Sequence, residues 1–180
     1  MVSNLAGIPR PVVILPYNEE WPAAFAHEAA RIQSAAGQYL CAIHHIGSTS
    51  VPGLAAKPII DILIGLKSLK DTPHFVPLLE KLGYRYFPEH ETEMPERRYF
   101  SRVLDDTHGF HLHMVEPESA FYHRHLAFRD YLRAHADARD EYAALKLALA
   151  KQFGSDREGY TDAKTGFIQR IERLALTGED

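Results

Sequence analysis

The stretch HHIGSTSVPGLAAKPIIDILIG, from His44 to Gly65, decides the fold class of this chain. It holds the end of one predicted strand, a Gly-Ser turn, and the run PIIDILIG, which is nearly all apolar and β-branched. Such a run is typical of a strand that is buried on both faces near the centre of a sheet. Asp61 lies inside it, and a carboxylate is costly to bury unless it is hydrogen-bonded, paired or bound to a metal.

The turn GSTSVPG between these strands has the features of an anion-binding site. Successive backbone amides in a glycine-containing turn can form a concave nest for phosphate, and Lys57 adds a positive charge just before the Asp61 strand. The alternative is a serine-rich turn that its own hydroxyls stabilise. The turn residues that we predict to contact phosphate are Gly47, Ser48, Thr49 and Ser50. Ser48 has no evident base partner except the nearby His45, which argues against a serine hydrolase.

A pair of histidines in the run GFHLHMVE is the second candidate feature. His111 and His113 are two residues apart, so on a strand both side chains point to the same face. Their apolar neighbours in the run supply the opposite face, towards the core. Two adjacent imidazoles can ligate zinc, manganese or iron when a carboxylate lies nearby. The alternative is a pair of half-exposed histidines on a solvated face.

Basic residues later in the chain are candidates for offsetting phosphate charge. Arg97 and Arg98 begin the strand-like run RRYFSRV, and because neighbouring strand residues point oppositely, at most one of them lines a given pocket. Arg129 lies in an amphipathic helical run and is a third candidate. Lys146 and Lys164 interrupt apolar helical patterns. They either reach over a cleft or extend along the surface to solvent.

Composition bounds the class of protein. The 180 residues carry a net charge of −4, which gives no overall field for bulk nucleic acid, although a small phosphorylated ligand needs only a local basic patch. No apolar run is long enough to span a bilayer. The one cysteine, Cys41, allows no internal disulfide, and we therefore expect the reducing cytoplasm. The sequence does not indicate an oligomeric state.

The periodicity of the chain predicts one α/β domain over residues 1–180, a sheet flanked by helices with a helical C-terminal third packed on it. PVVIL, from Pro11 to Leu15, is predicted to be a short strand. LDDTHG is predicted to be the hairpin turn between the strands RRYFSRV and GFHLHMVE. A capping-box pattern at Ser155 is predicted to open a single last helix.

The motifs HIGSTSVPGLAAKPIIDILI, RRYF, HLH, RHLAFRDYLR, YAALKLALA and YTDAKTGFI occur in this order, and together they closely resemble the GrpB family. The resemblance covers nearly the whole chain. It implies the fold of the nucleotidyltransferase superfamily, a mixed sheet flanked by helices. In that superfamily a Gly-Ser turn holds a nucleoside triphosphate. The following strand supplies two metal-binding carboxylates, and a later strand supplies a third.

Carried over residue by residue, the resemblance gives Gly47 and Ser48 the role of the Gly-Ser turn. It makes Asp61 the first carboxylate, because twelve residues separate it from Ser48. The position of the second carboxylate is occupied by Leu63, which is a departure from the superfamily. His111 or His113 stands where the third carboxylate would be. The implied metal ligands are Asp61, His111 and His113, holding magnesium or manganese, or else zinc.

The working hypothesis is a nucleotidyltransferase-like protein that binds or transfers a nucleotide or another small phosphorylated ligand with a divalent cation. The alternative is a non-catalytic ligand-sensing or adaptor domain, which Leu63 favours. A metal-dependent hydrolase that uses the two histidines is a third possibility. The geometric expectation is that Asp61, His111 and His113 converge on one face of the sheet, below the Ser48 turn, with Leu63 on that face.

Overall fold

The computed structural model describes residues 11–105 and 108–178. In this part of the chain a five-stranded mixed sheet is covered by helices on both faces. The strands are β1 (Leu40–Ile46), β2 (Ile59–Leu66), β3 (Arg85–Tyr86), β4 (Arg97–Val103) and β5 (Gly109–Val115). The helices are α1 (Trp21–Ala36), α2 (Thr72–Lys81), α3 (Ala120–Ala134), α4 (Ala136–Phe153), α5 (Arg157–Asp162) and α6 (Thr165–Thr177).

The strand order is β1-β2-β5-β4-β3. β2 and β5 are parallel, and the other neighbouring pairs are antiparallel. A parallel pair needs a long crossover, which here consists of α2, β3 and β4. β2 therefore lies inside the sheet, as its apolar run predicts, and the register places Asp61 directly beside His111.

The alternation of side chains along β2 divides the sheet into two chemically different faces. The first face is apolar and packs under α1 and α2. Its buried residues include Ile60, Ile62, Ile64, Leu112 and Met114, and Phe75 and Leu79 of α2 pack against them. The second face carries Asp61, Leu63, His111 and His113, and the C-terminal helices pack over it. One face of the sheet therefore packs in the hydrophobic core, and the other carries polar side chains that form a candidate site.

One buried carboxylate stabilises the packing of α1 against β4. Glu28 is 1% exposed, and its Oε2 accepts hydrogen bonds from Arg31 and Arg102, each at 2.7 Å. Its Oε1 accepts a hydrogen bond of 2.9 Å from the Tyr84 hydroxyl. Burial and the neighbouring Glu28 raise the pKa of Tyr84, so this hydroxyl remains a donor at all ordinary pH values. The network is fully paired at the carboxylate, which is the condition for a buried charge to be tolerated.

Three element predictions need correction or lie outside the described residues. The run PVVIL is not a strand, and only an isolated bridge joins Leu15 to Ala56. The last helix is divided into α5 and α6, and the first of these is capped by Asp156, which accepts from the Gly159 amide at 2.9 Å. The strands around LDDTHG pair as a hairpin, but residues 106 and 107 of that turn lie outside the described residues.

The helical C-terminal third is confirmed, since α3 to α6 follow the last strand and pack on the second face. None of the helices in the described ranges is long and apolar enough to cross a bilayer. One domain across residues 1–180 remains a prediction.

Candidate functional site

The turn after β1 is built so that its backbone lies against the Asp61 carboxylate. Gly47 has a φ of 68°, and a Cβ at this position would collide with Asp61 Oδ2, so glycine is required. The Ser50 hydroxyl donates to the Gly47 carbonyl at 2.6 Å, and the Thr49 hydroxyl donates to the Ile59 carbonyl at 3.2 Å. Two of the three hydroxyls that were predicted to contact phosphate therefore stabilise the turn itself.

The predicted trio of Asp61, His111 and His113 is brought together. One ligand atom from each lies within 4.8 Å of the others. His111 Nδ1 is 3.3 Å and His113 Nε2 is 3.6 Å from Asp61 Oδ1. The expectation that these side chains converge on one face beside the Ser48 turn is confirmed, because the parallel register of β2 and β5 aligns them. Metal binding by the trio stays a prediction.

The pKa shifts of Asp61 and His113 favour an ionised carboxylate beside a neutral imidazole. Burial alone raises the pKa of Asp61, but the neighbouring imidazoles of His111 and His113 outweigh it and hold the pKa well below the usual carboxyl range. Burial lowers the pKa of His113, although Asp61 opposes the shift. An ionised carboxylate beside a neutral imidazole is the state that ligates a divalent metal.

Leu63 stands two residues after Asp61 on β2, at the position where the resemblance implies a second carboxylate. It is 0% exposed and packs with Ile46, Val115 and Phe121. The Phe121 ring also stacks on His113, with ring centroids 5.8 Å apart. The apolar cluster therefore closes the side of the site where a second metal ligand would stand.

We expect the substitution Leu63→Asp to lower the free energy of unfolding by about 3–5 kcal/mol, because it leaves an unpaired charge in an apolar cluster. Leu63→Met conserves the volume and should cost less than about 1.5 kcal/mol. Urea denaturation of both variants measures the difference. Manganese should restore part of the loss in the aspartate variant by mass action. Equal stability of the aspartate variant and the wild type would contradict the packing described for this position.

A cavity of about 380 Å³ lies between the second face of the sheet and helices α3 to α6. One wall carries the metal-type ligands and the opposite wall is basic. The polar residues that line it include Ser48, Lys57, Asp61, His111, His113, Lys146, Lys164 and Glu172. A cavity with an acidic and imidazole wall facing a lysine wall suits a small anionic ligand that carries or recruits a cation.

The three predicted arginines do not line this cavity. Arg97 lies behind the trio, with its Nη1 3.4 Å from His113 Nδ1. Arg98 points elsewhere and forms an ion pair of 3.0 Å with Glu91. Arg129 donates to a backbone carbonyl of β1 and to the neighbouring aspartate. To bind phosphate, Arg98 and Arg129 would have to give up the bonds that they make here. Arg97 contacts the trio through His113.

Two lysines take the place that the arginines were expected to fill. Lys146 on α4 is 2% exposed, and Lys164, just before α6, lies over the Tyr160 ring with Nζ 4.4 Å from its centroid. Burial, together with the neighbouring charges of Lys164 and Lys57, lowers the pKa of Lys146 to about 7. Burial likewise lowers the pKa of Lys164 to about 8, with Lys57 adding to the shift. Ion pairs of these lysines with carboxylates are absent from the described residues.

Sequence reasoning found these lysines but did not assign them to the site. The available signal was a lysine inside the apolar pattern YAALKLALA, where Tyr142 and Leu149 lie on the buried stripe. Such a lysine usually extends to solvent. Here the helix lies across a cavity, so the ammonium group points into that cavity and remains buried.

Ser48 is the turn hydroxyl that faces the cavity. Lys146 Nζ lies 2.9 Å from its Oγ, and Tyr142 lines the cavity beside them. The His45 imidazole, the partner considered from the sequence, instead contacts the Thr49 hydroxyl at 3.0 Å. The tertiary fold thus gives Ser48 a basic partner that lies 98 positions away in the sequence.

Comparison with known proteins finds relatives over most of this chain. The family model described as GrpB protein matches residues 11–174. UPF0157 protein YqkA of Bacillus subtilis is 42% identical over 167 residues, which are 92% of this chain and 48% of that protein. The chain thus spans about half the length of this relative. A dephospho-CoA kinase of Mycolicibacterium paratuberculosis is 29% identical and matches 94% of this chain and 47% of its own length.

Solved structures extend the comparison to the fold. The crystal structure of the conserved protein GrpB from Enterococcus faecalis superposes with a TM-score of 0.83 at 33% identity, covering 92% of this chain and 98% of that one. The Cid1 poly(U) polymerase superposes with a TM-score of 0.53 at 12% identity, covering 78% and 43%. The latter shows the nucleotidyltransferase-like fold alone. From the family model and these relatives, this chain belongs to the GrpB family.

Proposed function

We propose that the cavity binds a nucleotide or another small phosphorylated ligand together with one divalent cation. The observation that supports this proposal is the pair of facing walls: Asp61 and two imidazoles on the sheet, and the buried Lys146 with the partly buried Lys164 on the opposite side. A phosphate group between a cation and lysines has its charge offset from both sides. The similarity of the fold to that of the Cid1 poly(U) polymerase is consistent with this proposal.

The proposed roles follow from the geometry. Asp61, His111 and His113 would hold manganese or zinc, the ions that suit a mixed imidazole and carboxylate set, with magnesium as the harder alternative. The cation would supply charge stabilisation to a phosphoryl oxygen. Gly47 and Ser48 would present backbone and hydroxyl donors, and Lys57 and the cavity lysines would compensate negative charge. With Leu63 in place of a second carboxylate, the site fits one-metal chemistry.

Thermal-shift titration tests binding. ATP, UTP and dephospho-CoA with manganese are suitable ligands, and saturation at 100 times the Kd should stabilise the protein by about 2.7 kcal/mol. Lys164→Met should weaken binding. Lys67→Met changes an exposed lysine that directly follows β2 and does not line the cavity, so it should leave binding unchanged. The proposal fails if none of these ligands shifts the melting temperature in the presence of manganese, zinc or magnesium.

The pH dependence of anion binding provides a second prediction. Sulfate keeps its charge between pH 6 and pH 9, while Lys146 and Lys164 lose theirs through pKa values of about 7 and 8. Sulfate affinity, measured by calorimetry, should therefore fall by at least about tenfold across this range, which corresponds to about 1.4 kcal/mol. Lys146→Met should flatten the profile near pH 7. An affinity that is unchanged from pH 6 to pH 9 would show that these ammonium groups do not contact the anion.

A non-catalytic ligand-sensing or adaptor domain is the second candidate. Leu63 supports it, as does the match of this chain to only about half of YqkA and half of a dephospho-CoA kinase. Incubation with radiolabelled nucleotide and manganese separates the candidates. Transfer of label that is lost in Asp61→Ala indicates a transferase, release of phosphate without transfer indicates a hydrolase, and binding without turnover indicates the adaptor. We propose the cytoplasm as its compartment, in keeping with the single cysteine.

A further inference from the structure

The contact between Ser48 and Lys146 has the geometry of a nucleophile and its base. The atoms Oγ and Nζ are 2.9 Å apart, which is the hydrogen-bond distance needed for proton transfer. Both residues line the cavity, but Ser48 is partly exposed whereas Lys146 is 2% exposed. The hydroxyl is thus accessible to a ligand while the amine is shielded from water.

The surroundings of Lys146 favour its neutral amine. Burial and the nearby cations Lys164 and Lys57 together lower its pKa to about 7, so the neutral amine is well populated near neutral pH. Its Nζ donates to the Ala55 carbonyl and lies within hydrogen-bond distance of Ser48 Oγ. In the neutral amine one N–H meets the carbonyl, and the lone pair is able to accept the Ser48 hydroxyl proton.

The other hydroxyls of the turn are less accessible than Ser48. Thr49 and Ser50 are almost fully buried; Thr49 donates to the Ile59 carbonyl and contacts His45, and Ser50 donates to the Gly47 carbonyl. Burial raises the pKa of Tyr142, which lines the same cavity, so its hydroxyl stays protonated beside Ser48. Lysine paired with serine is a known variant of the serine–base arrangement in hydrolytic enzymes.

We propose that Ser48 is a nucleophile activated by Lys146, and that its electrophile is the phosphorus atom of an activated phosphate ester or anhydride. The lysines around the cavity favour an anionic phosphorus electrophile over a neutral carboxylic ester. The inference concerns the same cavity as the proposed function, but it requires neither a metal nor a nucleotide.

A fluorophosphonate is a phosphorus electrophile with a good leaving group, fluoride. The Ser48 oxygen forms a bond to phosphorus while the P–F bond breaks and fluoride leaves. The hydroxyl proton passes to Lys146 Nζ, which becomes an ammonium group. No oxidant, reductant or cation takes part, and the product is a stable phosphonylated serine.

The test is labelling of the full chain by a fluorophosphonate in the presence of a metal chelator, followed by intact mass measurement and peptide mapping. We expect one adduct, at Ser48, and none in Ser48→Ala. Lys146→Met should slow labelling by about 10²-fold, the usual contribution of a general base. Lys67→Met, on an exposed lysine, is the matched control and should react at the wild-type rate.

Circular dichroism and thermal melting establish that each variant is folded. If Lys146→Met does not fold, Lys146→Arg serves instead, because a guanidinium keeps the charge but does not accept a proton. Labelling of the wild type at another residue, no labelling at all, or a wild-type rate in a folded Lys146 variant would each overturn the inference. Metal-dependent nucleotide binding is measured separately, so either proposal can fail while the other stands.

Discussion

Asp61→Asn should abolish divalent-metal binding at this site. Asparagine keeps the shape of the side chain but removes the one negative charge of the trio, and neutral oxygen is a poor ligand for manganese beside two imidazoles. Loss of a partner that only orients a ligand costs 10–100-fold in affinity, so loss of the ligand itself should cost at least about 100-fold. Equilibrium dialysis against manganese and zinc measures this effect directly.

Two further variants sharpen the metal experiment. Asp140→Asn removes a carboxylate that is 68% exposed and lies outside the cavity, and it should bind metal as the wild type does. The double variant His111→Ala, His113→Ala should lose binding to the same extent as Asp61→Asn. If wild type and double variant have the same stoichiometry, the trio is a hydrogen-bonded cluster and not a metal site.

Glu28→Ala should strongly destabilise the fold. The carboxylate bonds Arg31, Arg102 and Tyr84, and its removal leaves the Arg102 guanidinium largely buried without its partner. Breaking a buried ion pair from one side typically costs 3–5 kcal/mol, so we expect a loss of that size in the free energy of unfolding. Guanidinium chloride denaturation, with the m value checked for two-state behaviour, measures it.

The matched control is Glu80→Ala, on the exposed side of α2, which should change the stability by less than about 0.5 kcal/mol. Because Glu28 lies on the face of the sheet opposite the cavity side chains, metal and anion binding should persist in any folded fraction of Glu28→Ala. Similar stabilities of the Glu28 and Glu80 variants would mean that water replaces Glu28 as the partner of the Arg102 guanidinium. The network would then contribute little to the free energy of unfolding.

Much of the sheet follows from local pattern. The alternation of Ile60, Asp61 and Ile62 places one carboxylate on the face opposite two core residues, and the spacing of His111 and His113 places both on one face of β5. The parallel register that joins the two strands is not local information. It depends on the crossover through α2, β3 and β4, which sets how far β5 advances along β2.

Non-local pairing also explains where the structure departs from the sequence predictions. PVVIL has the composition of a strand, but within the described residues it joins no ladder; it makes an isolated bridge at Leu15 and a hydrogen bond from the Val12 amide to the Gly154 carbonyl. Arg98 was a reasonable phosphate ligand from its position, yet in the fold Glu91 lies beside it and takes its charge. Propensity and charge are properties of a segment, whereas pairing depends on which other segment the fold brings near.

The sequence by itself determined the fold family, the buried strand with Asp61, the glycine at Gly47, and the histidine pair, because each follows from periodicity or from a motif within one segment. Only the tertiary structure decided which cations face that strand. Lys146 reaches Ser48 from a helix 98 positions further along the chain, and no local pattern encodes the packing of α4 across the sheet. Burial then removes this lysine from water and lowers its pKa, so its chemistry is a property of the folded cavity and not of the residue.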